Sequence, residues 1–483
     1  MNSAIEGLEP KRLWEYFAEL SAIPRGSKNE TKVSAYIVGV GKRLGLDVHQ
    51  DGVGNVVVRK RATPGRERAP MVALQGHLDM VCEKNKDKVH NFEKDPIALR
   101  RSGNFLTADG TTLGADNGVG VCAALALMEE RSVSHGPLEF LFTIDEETGL
   151  TGANNLKPGF LQSQILINLD SEEEGSLFVG CSGGADSVGT LNVEYEAMPP
   201  KSVAMNLKIK GLKGGHSGLE IHQGRGNAIK LLNRALNKLT ERGVRLASIE
   251  GGNKRNAIPR ETEAVVVVPK KLIDEVKMAV ASFDALFKTE FATVDGGVTL
   301  SIEEIKAKKF RVVKKAQQKK LVNLLYAIPH GVIAMSPDIP GLVESSTNLA
   351  TIATTKKGIV IATSQRSSVE SEKKDLVQMV HSIFVLAGAD VTHGEGYPGW
   401  KPNMNSAILK VAKTVYQDRY GKLPEVKAVH AGLECGIIGE KYPGMDMLSF
   451  GPTLEMVHSP EERVHIDTVK TFWDYLTAIL AKV

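Results

Sequence analysis

The feature that most constrains the fold of this chain is a set of uninterrupted apolar runs, each followed at once by side chains that can bind metal. The runs predict strands over residues 71–75, 138–144 and 165–169. Continuous apolar runs of this length are typical of strands buried on both faces, as in a parallel sheet covered by helices. Helix-like segments separate the runs, so the sequence predicts an α/β domain.

Polar groups cluster at the ends of these predicted strands. His77 and Asp79 follow the first run, and the alternation of an extended chain points both side chains the same way. Ligands of open parallel sheets gather beyond the carboxyl ends of the strands. Further candidates lie in a glycine-rich turn, after the later runs and in a loop after a predicted strand over 445–450: Asp116, Glu146, Glu147, Asp170 and His458. Together these residues predict a metal centre.

The residue types in this set fit a hydrolytic site with two metal ions. Such a site needs a carboxylate that bridges ions roughly 3.5–4 Å apart, together with terminal imidazole and carboxylate ligands. Zinc accepts both kinds of donor. Glu146 and Glu147 are adjacent, so one can bind metal while the other faces the attacking water as a general base. Asp79 suits a supporting role, in which it orients a ligand.

Composition excludes several classes of function. The 483-residue chain is long enough for two or three domains, and 60 basic against 57 acidic residues give a net charge of only +3. This balance gives no reason to expect a nucleic-acid or membrane partner. No run of 18 apolar residues and no signal-peptide pattern is visible. The four cysteines lack a C-x-x-C spacing, which fits the cytoplasm, and Cys82 is predicted to be a small buried side chain.

A change of pattern near residues 193–200 predicts a second domain inserted into the first. It contains predicted strands over 204–210, 263–268, 297–302 and 357–363 and predicted helices over 272–289, 315–327 and 372–387. The alternating patterns favour an α+β domain with a mostly antiparallel sheet. A segment rich in Gly and Pro at 394–402 then returns the chain to the first domain. We therefore predict a catalytic domain over 1–185 plus 398–483, with a lid domain over 186–397.

Several motifs resemble those of the M20 family of metallopeptidases, which includes dipeptidases, tripeptidases, carboxypeptidases and amino-acid deacylases. The short matches are GHLD at 76–79, GADNG at 114–118, DEETG at 145–149, NLD at 168–170 and the late His458. Longer matches, at 145–153, 214–218 and 430–436, are most similar to the bacterial dipeptidases of that family. The resemblance covers essentially the whole chain and implies a mixed-sheet α/β catalytic domain of the zinc-peptidase type.

The resemblance implies a role for each residue of the predicted metal centre. Asp116 would bridge two divalent ions, which are expected to be zinc, with cobalt or manganese as alternatives. His77 and Asp170 would complete one metal site, and Glu147 with His458 the other. Glu146 would be the general base, and Asp79 would hold His77.

The resemblance also implies substrate contacts in the lid. His216 would help to polarise the scissile carbonyl, and Asn256 would make a further polar contact. Arg366, expected in a turn at a strand end, would bind the terminal carboxylate of the substrate, a task suited to a guanidinium group. Glu434 departs from the small residues often found there in the family, and it could repel, select or bind substrate. His430 is equally consistent with the pocket or the core.

We therefore expect a cytoplasmic dipeptidase that cleaves unblocked dipeptides, including Xaa-His substrates, with a small peptide as its partner. An N-acyl amino-acid deacylase on the same scaffold is the alternative, and a non-catalytic binding protein is disfavoured because the ligand set and Glu146 are all present. The lid predicts a homodimer formed through that domain. Whether His216 serves its own chain or the partner subunit stays open.

Overall fold

The computed structural model describes residues 3–306 and 310–483, and it divides into two compact units. The first unit comprises Met1–Gly180, Trp400–Ala428 and Leu433–Val483, and the second comprises Cys181–Gly399 and Val429–Gly432. These boundaries lie a few residues from those predicted for the two domains, and the short segment Val429–Gly432 adds to the second unit. The functional labels of catalytic domain and lid stay predictions.

The first unit is built on a mixed sheet in which the predicted apolar strands lie side by side. The strand order is Asp47–Gln50, Val56–Lys60, Leu138–Thr143, Val72–His77, Ile165–Asn168, Asp446–Ser449, Ser176–Cys181 and Glu425–Val429. Val72–His77 runs parallel to both of its neighbours, Leu138–Thr143 and Ile165–Asn168. The carboxyl ends of these strands therefore meet at one edge of the sheet, and the predicted strands and α/β class are confirmed.

Burial on both faces explains why these strands lack an alternating pattern. Every residue of Val72–His77 and of Leu138–Thr143 is buried. The helices of this unit are Lys11–Ser21, Thr31–Arg43, Ala115–Glu129, Glu146–Gly149, Thr151–Asn155, Ala407–Tyr420, Glu434–Lys441 and Ile466–Lys482. The helix Ala115–Glu129 is apolar all round, as expected for a helix enclosed by its neighbours.

A smaller antiparallel sheet completes the first unit. Its strands follow the order Leu454–Glu455, Arg463–His465, Phe105–Ala108 and Leu99–Ser102. The loop between the first two of these strands carries His458, which has a left-handed backbone (φ 61°). Cys82, predicted to be buried at a strand end, is exposed instead. The strand ends at His77, so the chain has already left the sheet before residue 82.

The second unit contains a large antiparallel sheet, as the sequence predicted. Its strands follow the order Thr299–Glu304, Ser202–Lys210, Thr262–Pro269, Arg245–Gly251, Val343–Thr355, Gly358–Ser367, Gly183–Leu191 and Asp390–His393, and Gly331–Met335 also pairs with Val343–Thr355. Two short pairs lie beside it, Tyr195–Ala197 with Arg311–Val313 and Gly215–His216 with Ala257–Ile258. The helices are Ala228–Glu241, Ile273–Glu290, Lys315–Ala327 and Glu370–Leu386.

Several strands of this sheet were not predicted from the sequence. One of them is Val343–Thr355, which is 13 residues long. Four consecutive buried residues of this strand are polar: Ser345, Ser346, Thr347 and Asn348. Ser346 pairs with His430, Thr347 accepts from Gln365, and Asn348 donates to the carbonyl oxygens of Arg255 and Ala257. These polar side chains interrupt the apolar pattern, so hydrophobic periodicity does not reveal the strand. In the described part of the chain, no helix is both long and apolar enough to span a bilayer.

Candidate metal site

His77 connects the end of its strand to three acidic residues. It is the last residue of Val72–His77 and is fully buried. One imidazole nitrogen, Nδ1, lies 3.3 Å from Asp79 Oδ1. The other, Nε2, lies 3.0 Å from Asp116 Oδ1 and 3.3 Å from Asp170 Oδ1. An imidazole held through one nitrogen and facing carboxylates through the other is the usual arrangement of a metal-binding histidine.

Asp116 lies between two imidazoles. Its backbone is non-helical (φ −79°, ψ 114°) although it stands at the start of the helix Ala115–Glu129, so its side chain precedes the regular turns. Oδ1 faces His77 Nε2, and Oδ2 lies 3.1 Å from His458 Nε2. His458 Nε2 is also 3.1 Å from Glu147 Oε2. Each oxygen of one carboxylate therefore faces a different histidine.

Among the four groups of possible metal ligands in the described residues, two share Asp116. In each group the potential ligand atoms all lie within 4.8 Å of one another. These two groups are His77, Asp116 and Asp170, and Asp116, Glu147 and His458. The sequence analysis expected these same two sets, with Asp116 as their common member. Their binding of metal stays a prediction.

Asp79 supports both His77 and the neighbouring pair of glutamates. Its carboxylate accepts the backbone N–H groups of Glu146 (3.0 Å) and Glu147 (3.2 Å), as well as the hydroxyl of Ser27 (2.8 Å). Burial opposes ionisation of Asp79, but the hydrogen bonds and the charge of His77 outweigh it and lower the pKa of Asp79 to about 2. An ionised Asp79 thus fixes the turn that presents both glutamates.

Glu146 differs from its neighbour in its surroundings. It lies close to His77 and Glu147. Burial raises the pKa of Glu146 well above its usual value, and the charges of Asp170, Glu434 and Asp116 raise it further against the opposing effect of His77. A buried carboxyl group with a raised pKa is suited to accept and return a proton near neutral pH.

The balance of charge indicates that a cation fits among these residues. Burial, followed by the charge of Asp116, raises the pKa of Asp170, whereas hydrogen bonds to Asp116 and Glu147 raise the pKa of His458 to about 11. Without a cation, protons on His77 and His458 are what can balance the negative charge of the neighbouring carboxylates. Asp170 Oδ1 and Glu147 Oε1 are buried and accept no hydrogen bond. Imidazole nitrogens and carboxylate oxygens in these numbers are donors that a divalent ion such as zinc prefers.

Two residues that the sequence analysis missed hold the turn before Asp116. Glu462 is buried, and its carboxylate accepts the backbone N–H groups of Leu113 (2.7 Å), Gly114 (3.0 Å) and Ala115 (2.7 Å). Arg25 donates to the carbonyl oxygens of Leu78 and Asp79 at 2.9 and 2.8 Å and also to that of Gly114. Neither residue stands in a motif, and no periodic pattern marks them.

Glu434 lies beneath the strand ends. It begins the helix Glu434–Lys441 and has no exposed surface. Its Oε2 accepts hydrogen bonds from Thr143 Oγ1 (2.6 Å) and Gln75 Nε2 (2.5 Å), and burial raises its pKa to about 7. The Gln75 side chain in turn accepts from Asn168 (2.5 Å). The predicted contact of Glu434 with substrate would require this side chain to become exposed.

Arg366 occupies a strand of the second unit, which corrects the expected turn. It is the penultimate residue of Gly358–Ser367 and pairs with Ser346 on one side and Gly184 on the other. Its residue exposure is only 6 %. Nη1 donates to Tyr397 Oη at 2.8 Å, and Nε is buried without a partner.

The other predicted contacts of the second unit are two neutral histidines and an asparagine. Burial and then the charge of Arg366 lower the pKa of His216 to about 4 and that of His430 to about 3. Nδ1 of His216 accepts the N–H groups of Gly218 (3.2 Å) and Leu219 (3.1 Å), which leaves the proton on Nε2. His430 Nε2 pairs with Ser346 Oγ at 2.7 Å. Asn256 is exposed.

This chain matches the model of a known family and is similar to several known proteins. Residues 73–482 match the model of peptidase family M20/M25/M40. The cytosol non-specific dipeptidase of Escherichia coli (strain K12) is 43 % identical over 482 residues, which cover 100 % of this chain and 99 % of that protein. The crystal structure of an aminoacylhistidine dipeptidase from Vibrio alginolyticus matches with a TM-score of 0.93 at 42 % identity, over 100 % of this chain and 98 % of that one. The aminopeptidase PepT from Bacillus cereus shares the fold, with a TM-score of 0.57 at 17 % identity over 98 % of this chain and 99 % of that one.

The shared position of Asp116 predicts different metal stoichiometries for different variants. We expect Asp116→Ala to weaken zinc binding by both groups, because it belongs to each. His458→Ala should weaken only the group that contains Glu147, and should leave about one tightly bound ion. Metal content after dialysis against trace zinc, measured by mass spectrometry, tests this.

A half-buried acid that belongs to neither group provides the control for that measurement. Asp109→Asn removes a carboxylate that pairs with Lys88 and Arg100. It should leave the zinc content of the wild-type protein unchanged. Equal losses in Asp116→Ala and His458→Ala would contradict the assignment of Asp116 to both groups.

Proposed function

The chain belongs to peptidase family M20/M25/M40, and from this premise we propose that it is a two-metal dipeptidase that hydrolyses unblocked dipeptides. The names of its two similar relatives, a cytosol non-specific dipeptidase and an aminoacylhistidine dipeptidase, support this activity. They also support cytoplasmic location and a substrate range that includes Xaa-His dipeptides.

The observation that carries this proposal is the position of Asp116 between two histidines. Each of its oxygens faces one imidazole, and each imidazole has a further carboxylate of its own, Asp170 or Glu147. Such a set is suited to two ions bridged by one carboxylate. Two divalent ions, zinc by preference and cobalt or manganese as alternatives, would supply Lewis acidity that lowers the pKa of water and polarises a carbonyl.

Glu146 acts in this proposal as the general base. Its carboxylate takes a proton from the attacking water as the new C–O bond forms at the scissile carbonyl. The same carboxyl group then delivers that proton to the leaving amine nitrogen when the C–N bond breaks. Its raised pKa suits both transfers, and Asp79 holds its backbone in place.

Residues of the second unit bind the substrate in this proposal. Arg366 takes the terminal carboxylate, since its guanidinium is buried and its Nε has no hydrogen-bond partner. His216 donates from Nε2 to the scissile carbonyl, because its lowered pKa keeps it neutral and its Nδ1 already accepts two N–H groups. Asn256 provides an additional polar contact.

We expect Glu146→Gln to lower turnover of a dipeptide by at least ~10²-fold, the usual scale for loss of a general base. The amide keeps the size of the side chain but cannot accept the proton. The zinc content should stay at the wild-type value, and Glu290→Gln, which alters an exposed acid paired with Arg234, serves as the control. An active variant, or one that has lost its metal, would show that base and ligand have been assigned to the wrong members of the pair.

Arg366→Gln should impair substrates with a free carboxylate much more than their C-terminal amides. A hydrogen bond to a charged group contributes about 1.5–3 kcal/mol, which corresponds to a loss in kcat/KM of roughly ten- to more than a hundredfold. Arg255→Gln is the matched control, because Arg255 is an exposed arginine of the same unit that pairs with Asp186. Measuring kcat/KM of the wild-type enzyme on N-acetyl amino acids as well tests the deacylase alternative. Equal losses on acid and amide would rule out carboxylate binding by Arg366.

We further propose a homodimer formed through the second unit, as the sequence analysis expected. Sedimentation at micromolar concentration should give twice the 52.2-kDa mass of the chain. A single 52.2-kDa species would overturn the proposal.

Mixing inactive His216→Ala with inactive Glu146→Ala protomers then tells where His216 acts. Recovered activity means that it serves the partner subunit, and no recovery despite subunit exchange means that it serves its own chain.

A further inference from the structure

Tyr397 provides a second group beside Arg366 that is free to bind an anion. We propose that the Tyr397 hydroxyl donates a hydrogen bond to the terminal carboxylate of the substrate, next to the guanidinium of Arg366. This inference rests on the proposed function, because it assigns a specificity-determining residue to the same site.

The guanidinium of Arg366 has a buried donor without a partner. Only 6 % of the residue is exposed, Nη1 has one acceptor, and Nε is buried with none. A buried cation is costly unless an anion or several acceptors compensate it. The two histidines whose pKa values its charge lowers, His216 and His430, are neutral and supply no negative charge. The carboxylate of a ligand could supply this charge and accept from the unpartnered donor.

The ring of Tyr397 is held rigidly by the backbone around it. Its N–H and C=O exchange hydrogen bonds with Gly184 at 2.9 and 3.0 Å, and its carbonyl oxygen also accepts from Lys373 Nζ at 2.6 Å. Two glycines lie against the ring. A Cβ atom on Gly184 would come within 2.8 Å of ring atoms, and one on Gly432 within 2.9 Å. The absence of side chains at these two positions makes room for the ring and fixes its direction.

The hydroxyl proton of Tyr397 has no recorded acceptor in the described part of the chain. The oxygen accepts from Arg366 Nη1 at 2.8 Å, so the phenolic proton is available for a different partner. Among the described residues no atom accepts it, and nearby His430 already pairs its Nε2 with Ser346. A hydroxyl donor and a guanidinium donor side by side match the two oxygens of one carboxylate. A ligand with a single acceptor atom would leave either the hydroxyl donor or the guanidinium donor unused.

Phenylalanine at this position removes the donor and retains the ring. We expect Tyr397→Phe to lower the preference for a dipeptide over its C-terminal amide by about tenfold, as for loss of a hydrogen bond to a charged group. The preference is the ratio of the two kcat/KM values. Tyr442→Phe is the matched control, because Tyr442 Oη donates to the Lys157 carbonyl at 2.7 Å in the first unit. It should keep the wild-type preference.

The double variant separates direct binding from an effect exerted through Arg366. If the hydroxyl contacts the carboxylate, Tyr397→Phe should lower the preference further when added to Arg366→Gln. If the hydroxyl only positions the guanidinium, the double variant will equal Arg366→Gln alone, and direct donation is overturned. Unfolding temperature and zinc content of each variant exclude loss of structure as the cause.

The same data distinguish failure of this inference from failure of the proposed function. A wild-type enzyme that does not favour the free acid over the amide would overturn the carboxylate site as a whole. A clear wild-type preference that Arg366→Gln abolishes and Tyr397→Phe leaves unchanged would overturn only the role of Tyr397.

Discussion

Electrostatic repulsion among buried carboxylates is the constraint on which the rest of the first unit depends. Asp116, Glu146, Glu147 and Asp170 approach one another where water screens them only in part, and two unit charges 4 Å apart interact by about 4 kcal/mol at an effective dielectric constant of 20. Such a set persists only with positive charge or donated hydrogen bonds. His77 and His458 supply the first, and backbone N–H groups fix the supporting acids Asp79 and Glu462.

The parallel strands explain how so many acids reach one place. Strands that run in the same direction end at a common edge, so residues far apart in sequence meet there without long loops of their own. The support beneath that edge is also polar. Gln75, Thr143 and Asn168 form a buried hydrogen-bonded row across three neighbouring strands, which ends at Glu434. The possible metal-binding side chains therefore lie at the ends of strands that are joined by buried side-chain hydrogen bonds.

Hydrophobic patterning predicted the parts of this molecule that are stabilised by burial, and resemblance predicted the groupings at the metal site. The strand over 138–144 follows from its continuous apolar run, and the helix over 315–327 follows from helical periodicity. Glu462, Arg25 and Tyr397 could not be predicted in this way, because their roles come from acceptors and donors that lie distant in sequence. Glu434 shows the opposite difficulty, since a charged residue in a motif indicates a surface role and here it is enclosed.

The four residues Val429–Gly432 determine when the second unit can be completed during synthesis. Ser182 donates to the carbonyl oxygens of both Val429 and Ala431, and His430 contacts Ser346. On the ribosome, residues 181–399 therefore emerge without the last piece of their own unit, and synthesis must pass residue 432 before it is complete. Neither unit is a single interval of sequence with one entry and one exit. Circular permutation or exchange of the insert between relatives would have to carry this short segment with it.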